Sequence, residues 1–569
     1  MQPVVSSAQM REIDRLTIER HGIPSLTLME NAANATARCV SNVLHGDVSG
    51  KSIVVLCGKG NNGGDGAATA RLLATAGARV DVILIGRVDD TKGDARENFN
   101  RVRAWNDQRV AQESKGPEVL GSGTLKLFEC DSEKGWEQLL TSVLATPHQA
   151  FIDALFGTGL TRPAEGIHRE AIRYLNRMRA DRQASAAPII SIDIPSGLNA
   201  DAEQLIGETV NADATVTMTA PKRANVLSPA CNYNGRLTVA DIGSPGELIA
   251  EQSTQLRLST GDDAERWLIK TRYTLDSYKN THGHALVIAG SRGFTGAAAL
   301  CGNAAMKAGA GLVTVATPFS AQSIVASQVM LEVMTASLSE TDRGAVSDDA
   351  LDYAVKLASR MDVIAVGPGL SSDDDRTRTF VRQIVERRTT PVVLDADGLN
   401  CLAPWPADLK GSSANPIVLT PHPGEMLRLL GTDDKSALTD RMEAAREFAI
   451  EHELILVLKG SRTIIAAPDG RVAVNPTGNP GLGTAGSGDT LTGVITGFIA
   501  QARGGLGDQM DAFETVAAAV YVSGLAGDFA AKELGMRSMT ASDIRDHLSQ
   551  AFRFLDPFGE TPASTPDTK

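Results

Sequence analysis

A single carboxylate closes a run of small residues, Gly478-Asn479-Pro480-Gly481-Leu482-Gly483-Thr484-Ala485-Gly486-Ser487-Gly488-Asp489-Thr490. Gly483, Gly486 and Gly488 let the backbone turn tightly and let a ligand approach main-chain N–H groups. Leu491, Val494, Ile495, Phe498 and Ile499 follow at helical spacing. Those N–H groups therefore open a helix whose dipole favours negative charge, and the stretch reads as a phosphate or oxyanion cradle. Asp489 would repel a phosphate, so it suits a base or a metal contact beside the anion. The competing reading is a flexible turn in which Asp489 or Thr490 caps the helix.

Further strand-end motifs fill the second half: Gly290 to Ala298, Lys307 to Leu312, Gly367-Pro368-Gly369-Leu370, Leu394 to Asn400, Thr420 to Glu425, and Leu458 to Thr463. His422 lies between Pro421 and Pro423, with a stiff backbone and a ring able to stack on or hydrogen-bond a ligand. Taken alone, such a histidine is more often structural. Lys459 with Gly460 could meet a nucleotide phosphate or ribose; alone it is a surface lysine before a turn.

The first half carries its own set. Asn61-Asn62-Gly63-Gly64-Asp65 forms a glycine loop after an apolar run, and it is neither a Walker A loop nor a GxGxxG fingerprint. Asp153 to Pro163 and Asp193 to Asn199 are the others. Asn62, Asp153 and Ser196 bear oxygens that could share a hard cation. Asp193 precedes a proline-stiffened loop, well placed for proton transfer to a ligand. Singly, an Asp or Ser after a strand usually caps the next helix.

Short apolar runs separated by helical stretches must position these residues. Ser52–Cys57, Val80–Ile85, Phe151–Leu155 and Pro188–Asp193 read as strands in the first half. Ala285–Ala289, Leu312–Ala316, Val363–Val366, Val392–Leu394, Ile417–Leu419 and Leu454–Leu458 do so in the second. Ser7–Glu19 reads as a helix capped by Ser7 and stopped by Gly22, Ser25 starts a second helix, and Ala67–Ala76 a third. The alternation predicts two α/β domains with mostly parallel sheets, whose ligands lie beyond the carboxyl ends of the strands. Polar text from about Glu247 to Asn280 marks the boundary, giving domains at 1–250 and 251–556. The Pro-, Ser- and Thr-rich residues 557–569 read as a disordered tail.

With 569 residues, 55 basic against 68 acidic side chains and a net charge of −13, the chain lacks the footprint of a nucleic-acid or anionic-membrane binder. Aromatic content of 4% offers no base-stacking platform. The six scattered cysteines form no CxxC pair and suit a reducing compartment. No apolar stretch reads as a signal peptide or membrane span, so a cytoplasmic location is expected.

The NNGGDG loop, the GTGL segment, Asp193 to Asn199 and the early Leu28-Met29-Glu30-Asn31-Ala32-Ala33 together resemble the NAD(P)H-hydrate epimerase family across the first half. The resemblance implies a Rossmann-like three-layer fold that interconverts the R and S forms of hydrated NADH and NADPH. It implies substrate contacts from Asn61, Asn62, Gly63, Gly64 and Asp65, and from Gly157, Thr158, Gly159, Leu160, Thr161, Arg162, Pro163 and Asp193. It implies K⁺ held by Asn62, Asp153 and Ser196, and Asp193 as the acid/base residue. Lys59 stands where that family more often has proline.

From Tyr278 to Leu555, the AGAGLVTV, GPGL, DADGLN, TPHPGE and GSGDTLTG segments resemble the ribokinase-like superfamily, and within it the ADP/ATP-dependent NAD(P)H-hydrate dehydratases. By that resemblance Lys459, Gly460, Ser461, Arg462, Thr463 and Gly488 contact ADP or ATP with Mg²⁺. Ala297, Gly369, His422 and Asp489 contact the hydrated dinucleotide. Asp489 takes the proton of the ring hydroxyl, that oxygen attacks the terminal phosphate, and phosphate leaves by elimination. Lys279-Asn280-Thr281-His282-Gly283 departs from an expected His-Lys-Gly, putting a substrate-side contact in doubt, and Ala485-Gly486-Ser487 replaces Gly-Gly-Thr. Small-molecule substrates are thus implied, without nucleic acid or membrane partners; a homo-oligomer is compatible, and ADP is not separated from ATP. The alternatives are a hydroxymethylpyrimidine- or hydroxyethylthiazole-type kinase in the second half, or a non-catalytic scaffold in the first.

Overall fold

A computed structural model describes residues 1–105, 123–180 and 187–557. The tail expected from 557 onward lies outside the described residues, Pro557 excepted. The chain divides into two compact units, residues 3–254 and residues 255–569 together with 1–2. Both are α/β, as expected.

In the unit of residues 3–254, seven strands form one sheet in the order Thr124–Cys130, Arg79–Ile85, Ser52–Cys57, Ala150–Ala154, Ile189–Ile192, Ala214–Met218, Arg236–Ala240. Every pairing is parallel. The period of two is visible in the core. Ile53, Val55 and Cys57 pack with Leu28, Leu73 and Phe99 from helices on one face. Val54 and Leu56 pack with Trp136, Ile172 and Leu175 on the other. Chain order reverses between Ser52–Cys57 and Ala150–Ala154, which makes the crevice at their carboxyl ends the topological switch point.

The other unit is built on an eleven-stranded sheet. Met334–Leu338, Leu312–Pro318, His284–Ile288, Val363–Val366, Val392–Leu394, Ile417–Leu419 and Ile455–Leu458 run parallel in that order. Ile464–Ala466 and Val472–Val474 continue antiparallel, followed by Leu256–Leu258 and Gln2–Pro3. Ala285, Val287, Val363 and Ala365 face a core shared with the helices Thr295–Lys307, Ser487–Leu506 and Ala512–Leu534. The alternate residues Leu286, Ile288, Ile364 and Val366 are as fully buried on the opposite face.

Three local expectations change. The cap of Ser7–Glu19 is Ser6, whose side chain accepts from the Gln9 amide, while the Ser7 amide donates to Asp201 at 2.6 Å. The expected glycine loop is already helical: the helix begins at Asn61 and runs to Thr75. A Cβ on Gly63 would lie 1.8 Å from the Gly58 carbonyl oxygen, so glycine permits the helix to start this close to the strand that feeds it. Edge strands such as Thr124–Cys130 and Arg236–Ala240 escape the apolar-run criterion because their outward positions are polar. Among the described residues no helix is long and apolar enough to cross a membrane.

Candidate active sites

A cleft of about 720 Å³ opens at the switch point of the first sheet. Lys59, Asn61, Asn62 and Asp65 line it after one strand, and Gly157, Thr158, Gly159 and Leu160 after its neighbour. Asp193 and Lys222 line it from further along the sheet, and Asp14 from the first helix. Not every expected contact faces this space. Gly63 packs on Gly58, and Gly64 packs on Ala95 and Met29. Thr161, Arg162 and Pro163 are exposed and lie outside the cleft lining.

Asp193 follows the strand Ile189–Ile192 with φ +67°, a left-handed conformation that turns the chain sharply at the strand end. Its Oδ1 accepts from Lys222 Nζ at 2.6 Å and from Thr217 Oγ1 at 3.1 Å. Lys222 Nζ also donates to Thr217 Oγ1 and to the Met218 carbonyl, each at 3.0 Å. All three ammonium directions are thus used on a side chain that is only 1% exposed. Sequence reading missed Lys222. The available signal was a lysine directly after an apolar strand and a proline, which reads as surface until the strand order brings it to Asp193. Removing one partner of a buried ion pair leaves the other uncompensated. Lys222→Met is therefore expected to destabilise this unit by about 3 kcal/mol, read as an earlier urea transition in a domain-resolved unfolding curve.

Asp153 is the penultimate residue of the strand Ala150–Ala154 and is fully buried. Its Oδ2 accepts from Ser191 Oγ and from the Ser196 amide, each at 2.8 Å; its Oδ1 accepts from Ser196 Oγ at 2.6 Å. Burial pushes its carboxyl above the ordinary range, with the Ser196 hydroxyl pulling the other way. Asn62 is buried beside Gly157, where a Cβ would sit 3.4 Å from its Oδ1, and its Nδ2 has no hydrogen-bond partner. The donor set is entirely oxygen, and a buried carboxylate held by neutral donors is compatible with a cation. The three expected K⁺ residues do not present themselves equally: Asn62 lines the cleft, while Asp153 and Ser196 are bonded to each other behind it.

In the second unit, Asp395, Thr420 and Lys459 each follow a parallel strand, at Leu394, Leu419 and Leu458. Lys459 Nζ donates to Asp395 Oδ1 at 2.7 Å, and Thr492 Oγ1 to Asp395 Oδ2 at 2.8 Å. Burial raises the Asp395 carboxyl, but Lys459 together with the Thr420 and Thr492 hydroxyls more than offsets it and leaves the pKa below the ordinary value. Burial likewise draws Lys459 down, and Asp395 and Glu425 return it above its ordinary value. The helix Ser487–Leu506 starts over this pair, preceded by Gly486 at φ +84°. A Cβ on Gly488 would meet Lys459 Nζ at 3.4 Å and Asp395 Oδ2 at 3.6 Å, so the first helical turn lies on the ion pair. Asp489, in that turn, is pushed up to about 6 by burial and by the charge of Asp395. The buried carboxylate–lysine pair thus sets up a neighbour able to exchange a proton near neutrality.

The remaining expected residues fall around this point. Gly369 touches Ala297, with 3.0 Å from a Cβ there to the Ala297 methyl. His422 caps the helix Pro423–Leu429 through Nδ1, which accepts from Gly424 N at 3.0 Å, leaving a half-exposed ring. Gly460 lies against the Arg441 guanidinium, Arg462 takes φ +57°, and Thr463 Oγ1 donates to the Gly460 carbonyl at 3.1 Å. Ser461 is exposed. Magnesium carried on phosphates needs only one or two carboxylates, which Asp395, Asp489 and Glu425 could supply. The departure at Lys279–His282 lies elsewhere: Gly283 packs on the Ala500 carbonyl, eleven residues along the helix from Asp489, or about 16 Å at 1.5 Å per residue.

Comparison with known proteins matches both halves. Residues 25–224 match the family model described as the YjeF-related protein N-terminus, and residues 285–550 that of NAD(P)H-hydrate dehydratase. The bifunctional NAD(P)H-hydrate repair enzyme Nnr of Moorella thermoacetica is 41% identical over 558 residues, covering 98% of both chains. That of Thermofilum pendens is 36% identical over 97% of this chain and 96% of its own. That of Escherichia coli is 31% identical over 87% and 84%. A solved ADP/ATP-dependent NAD(P)H-hydrate dehydratase of Bacillus subtilis, co-crystallised with ATP and Mg²⁺, is 29% identical, covers 52% of this chain and 98% of its own, and superposes with a TM-score of 0.44. Full-length identity to relatives that carry both halves decides the matter: the chain belongs to the family of bifunctional NAD(P)H-hydrate repair enzymes.

Proposed function

We infer that this chain repairs hydrated NADH and NADPH in two steps. The first unit interconverts the R and S hydrates; the second dehydrates the S hydrate with ADP or ATP and releases phosphate. The observation that carries the reading is the pairing, on one chain, of two strand-end sites each built on a buried lysine–aspartate pair, Lys222–Asp193 and Lys459–Asp395.

In the second site Asp489 accepts the proton of the ring hydroxyl, whose oxygen then attacks the terminal phosphate of the nucleotide. Lys459, Gly460, Ser461, Arg462, Thr463 and the N–H groups after Gly488 hold the nucleotide, where the helix N-terminus favours charge on the phosphoryl group in flight. Mg²⁺ carried on the phosphates would be held by one or two of Asp395, Asp489 and Glu425 and would supply charge neutralisation there. Ala297, Gly369 and His422 hold the dinucleotide. Elimination of the phosphate restores the reduced ring. In the first site, Asn61, Asn62, Asp65 and Gly157 to Leu160, which line the cleft, hold the hydrate, and Asp193 moves the proton. Asn62, Asp153 and Ser196 are the residues that would hold K⁺, which would supply positive charge to this site.

Purified protein given hydrated NADH, Mg²⁺ and ADP or ATP is expected to regenerate the absorbance of reduced nicotinamide and release inorganic phosphate. No return with either nucleotide rejects the dehydratase reading, and a stable phosphorylated product would favour the small-molecule kinase. The base must be ionised to work, and Asp489 is ionised above about 6. The dehydration kcat is therefore expected to fall about tenfold per pH unit on acidification below that point, measured between pH 5 and 8 at saturating substrates.

A further inference from the structure

Inverting one carbon needs chemistry on both of its faces, and Asp193 serves only one. We propose that Asp14, which lines the same cleft as Asp193 from a different element, is the second acid–base residue of the R/S interconversion; this rests on the epimerase reading above.

Asp14 lies on the helix Ser7–Glu19, on the flank of the face that buries Met10 and Ile13. Those two pack with Val5, Ala220 and Leu248, which lays the helix along the segment leading into Lys222. The Val5 amide donates to the Pro221 carbonyl at 2.9 Å and fixes that contact. Asp14 therefore reaches the cleft from a different element than Asp193 does. Its Oδ1 is buried without a hydrogen-bond partner. An ionised oxygen in that position would bear an unrelieved desolvation cost, which a protonated carboxyl avoids. Burial accordingly pushes Asp14 up to about 6; Lys222 pulls it down and Asp193 pushes it up. Asp193, by contrast, is held by a buried ammonium. Two carboxyl groups whose surroundings differ in this way divide naturally into an acid and a base.

The step balances as follows. Asp14 gives its proton to the ring hydroxyl oxygen. The carbon–oxygen bond breaks with its electron pair on oxygen, water departs, and the lone pair of the adjacent ring nitrogen forms a carbon–nitrogen double bond. A water on the opposite face bonds to the same carbon, the π pair returns to nitrogen, and Asp193 takes the proton that the water loses. The carbon is inverted, one water has been exchanged, and one proton has passed from Asp14 to Asp193. Turnover in the other direction returns it; otherwise solvent does. One proton shared between the two carboxyl groups is thus the active state in both directions.

The test is Asp14→Asn, which keeps shape and polarity but cannot act as an acid. The expected result is a kcat for R/S interconversion lower by about 10²-fold or more, with KM for the hydrate within about threefold and with dehydration of the S hydrate unchanged. Asp14→Glu, which restores the acid, is expected to recover at least about tenfold of that loss. Interconversion within about threefold of wild type, or a loss confined to KM, overturns the proposal. Should Asp14→Asn lose the unfolding transition of its unit, the wild-type pH profile decides. Asp65, Asp193 and Lys222 act electrostatically on Asp14, and Arg11, Lys59, Asp94 and His168 line the same cleft. A shared proton requires kcat to decline as pH rises above the range near 6, and a flat profile from pH 6 to 8 overturns it. A wild-type protein that fails to interconvert R and S at all rejects the epimerase reading instead, so the two failures are distinguishable.

Discussion

Asp489→Asn is expected to lower the rate at which reduced nicotinamide returns by about 10²–10⁴-fold, leaving R/S interconversion intact. That range corresponds to about 3–5 kcal/mol of lost transition-state stabilisation. The size follows from the surroundings. Asp489 sits at the start of a helix whose first turn lies on the Lys459–Asp395 pair, and burial beside Asp395 holds its pKa near 6. A carboxyl held there is ionised at neutral pH yet basic enough to accept a proton from a hydroxyl as phosphoryl transfer begins. Asparagine retains the volume and the local polarity, so the nucleotide should still bind. The expected signature is a loss in kcat with KM for ADP or ATP within about threefold, measured by stopped-time absorbance of reduced nicotinamide. If instead the variant loses nucleotide affinity and keeps kcat, Asp489 is a binding residue and the base lies elsewhere.

The central strands were legible because they are buried on both faces and read as unbroken apolar runs: Ser52–Cys57, Val363–Val366 and Ile417–Leu419 needed no pattern beyond that. Edge strands were not, since Lys126 and Glu129 interrupt the apolar residues of Thr124–Cys130, which is partly exposed. The start of the helix at Asn61 was hidden for a different reason. Glycines cost a helix about 1 kcal/mol each, so Gly63 and Gly64 argue locally for a loop. What overrides them is the backbone of Gly58 and Ala95 and the side chain of Met29 lying where a side chain would be. The motif residues at strand ends were legible as a set, because a parallel sheet brings all its carboxyl ends to one edge. Their partners were not. Lys222 reaches Asp193 across 29 residues, and Lys459 reaches Asp395 across 64, and only the strand order shows that these are neighbours. Asp14 belongs to no motif, and only the fold brings its helix to the cleft that Asp193 lines.

Asp193→Asn is expected to slow R/S interconversion by at least about 10²-fold and to leave the dehydration of the S hydrate unchanged. A mixture of the two hydrates would then be repaired in two phases, the S fraction at the wild-type rate and the R fraction far more slowly. The substitution carries a structural consequence that must be separated from the chemical one. Lys222 is 1% exposed and its ammonium is matched by Asp193, so removing the carboxylate leaves a buried charge unpaired. A loss of activity could then come from a loosened unit. The double variant Asp193→Asn/Lys222→Met distinguishes the two, because removing both charges relieves the unpaired one and should recover most of the stability lost by either single change. Chemistry does not recover with it: the double variant is expected to unfold near the wild-type urea midpoint and still fail to interconvert R and S. Recovery of interconversion together with stability would show that Asp193 serves the fold, and that the proton is moved by another of the carboxyl groups lining the cleft.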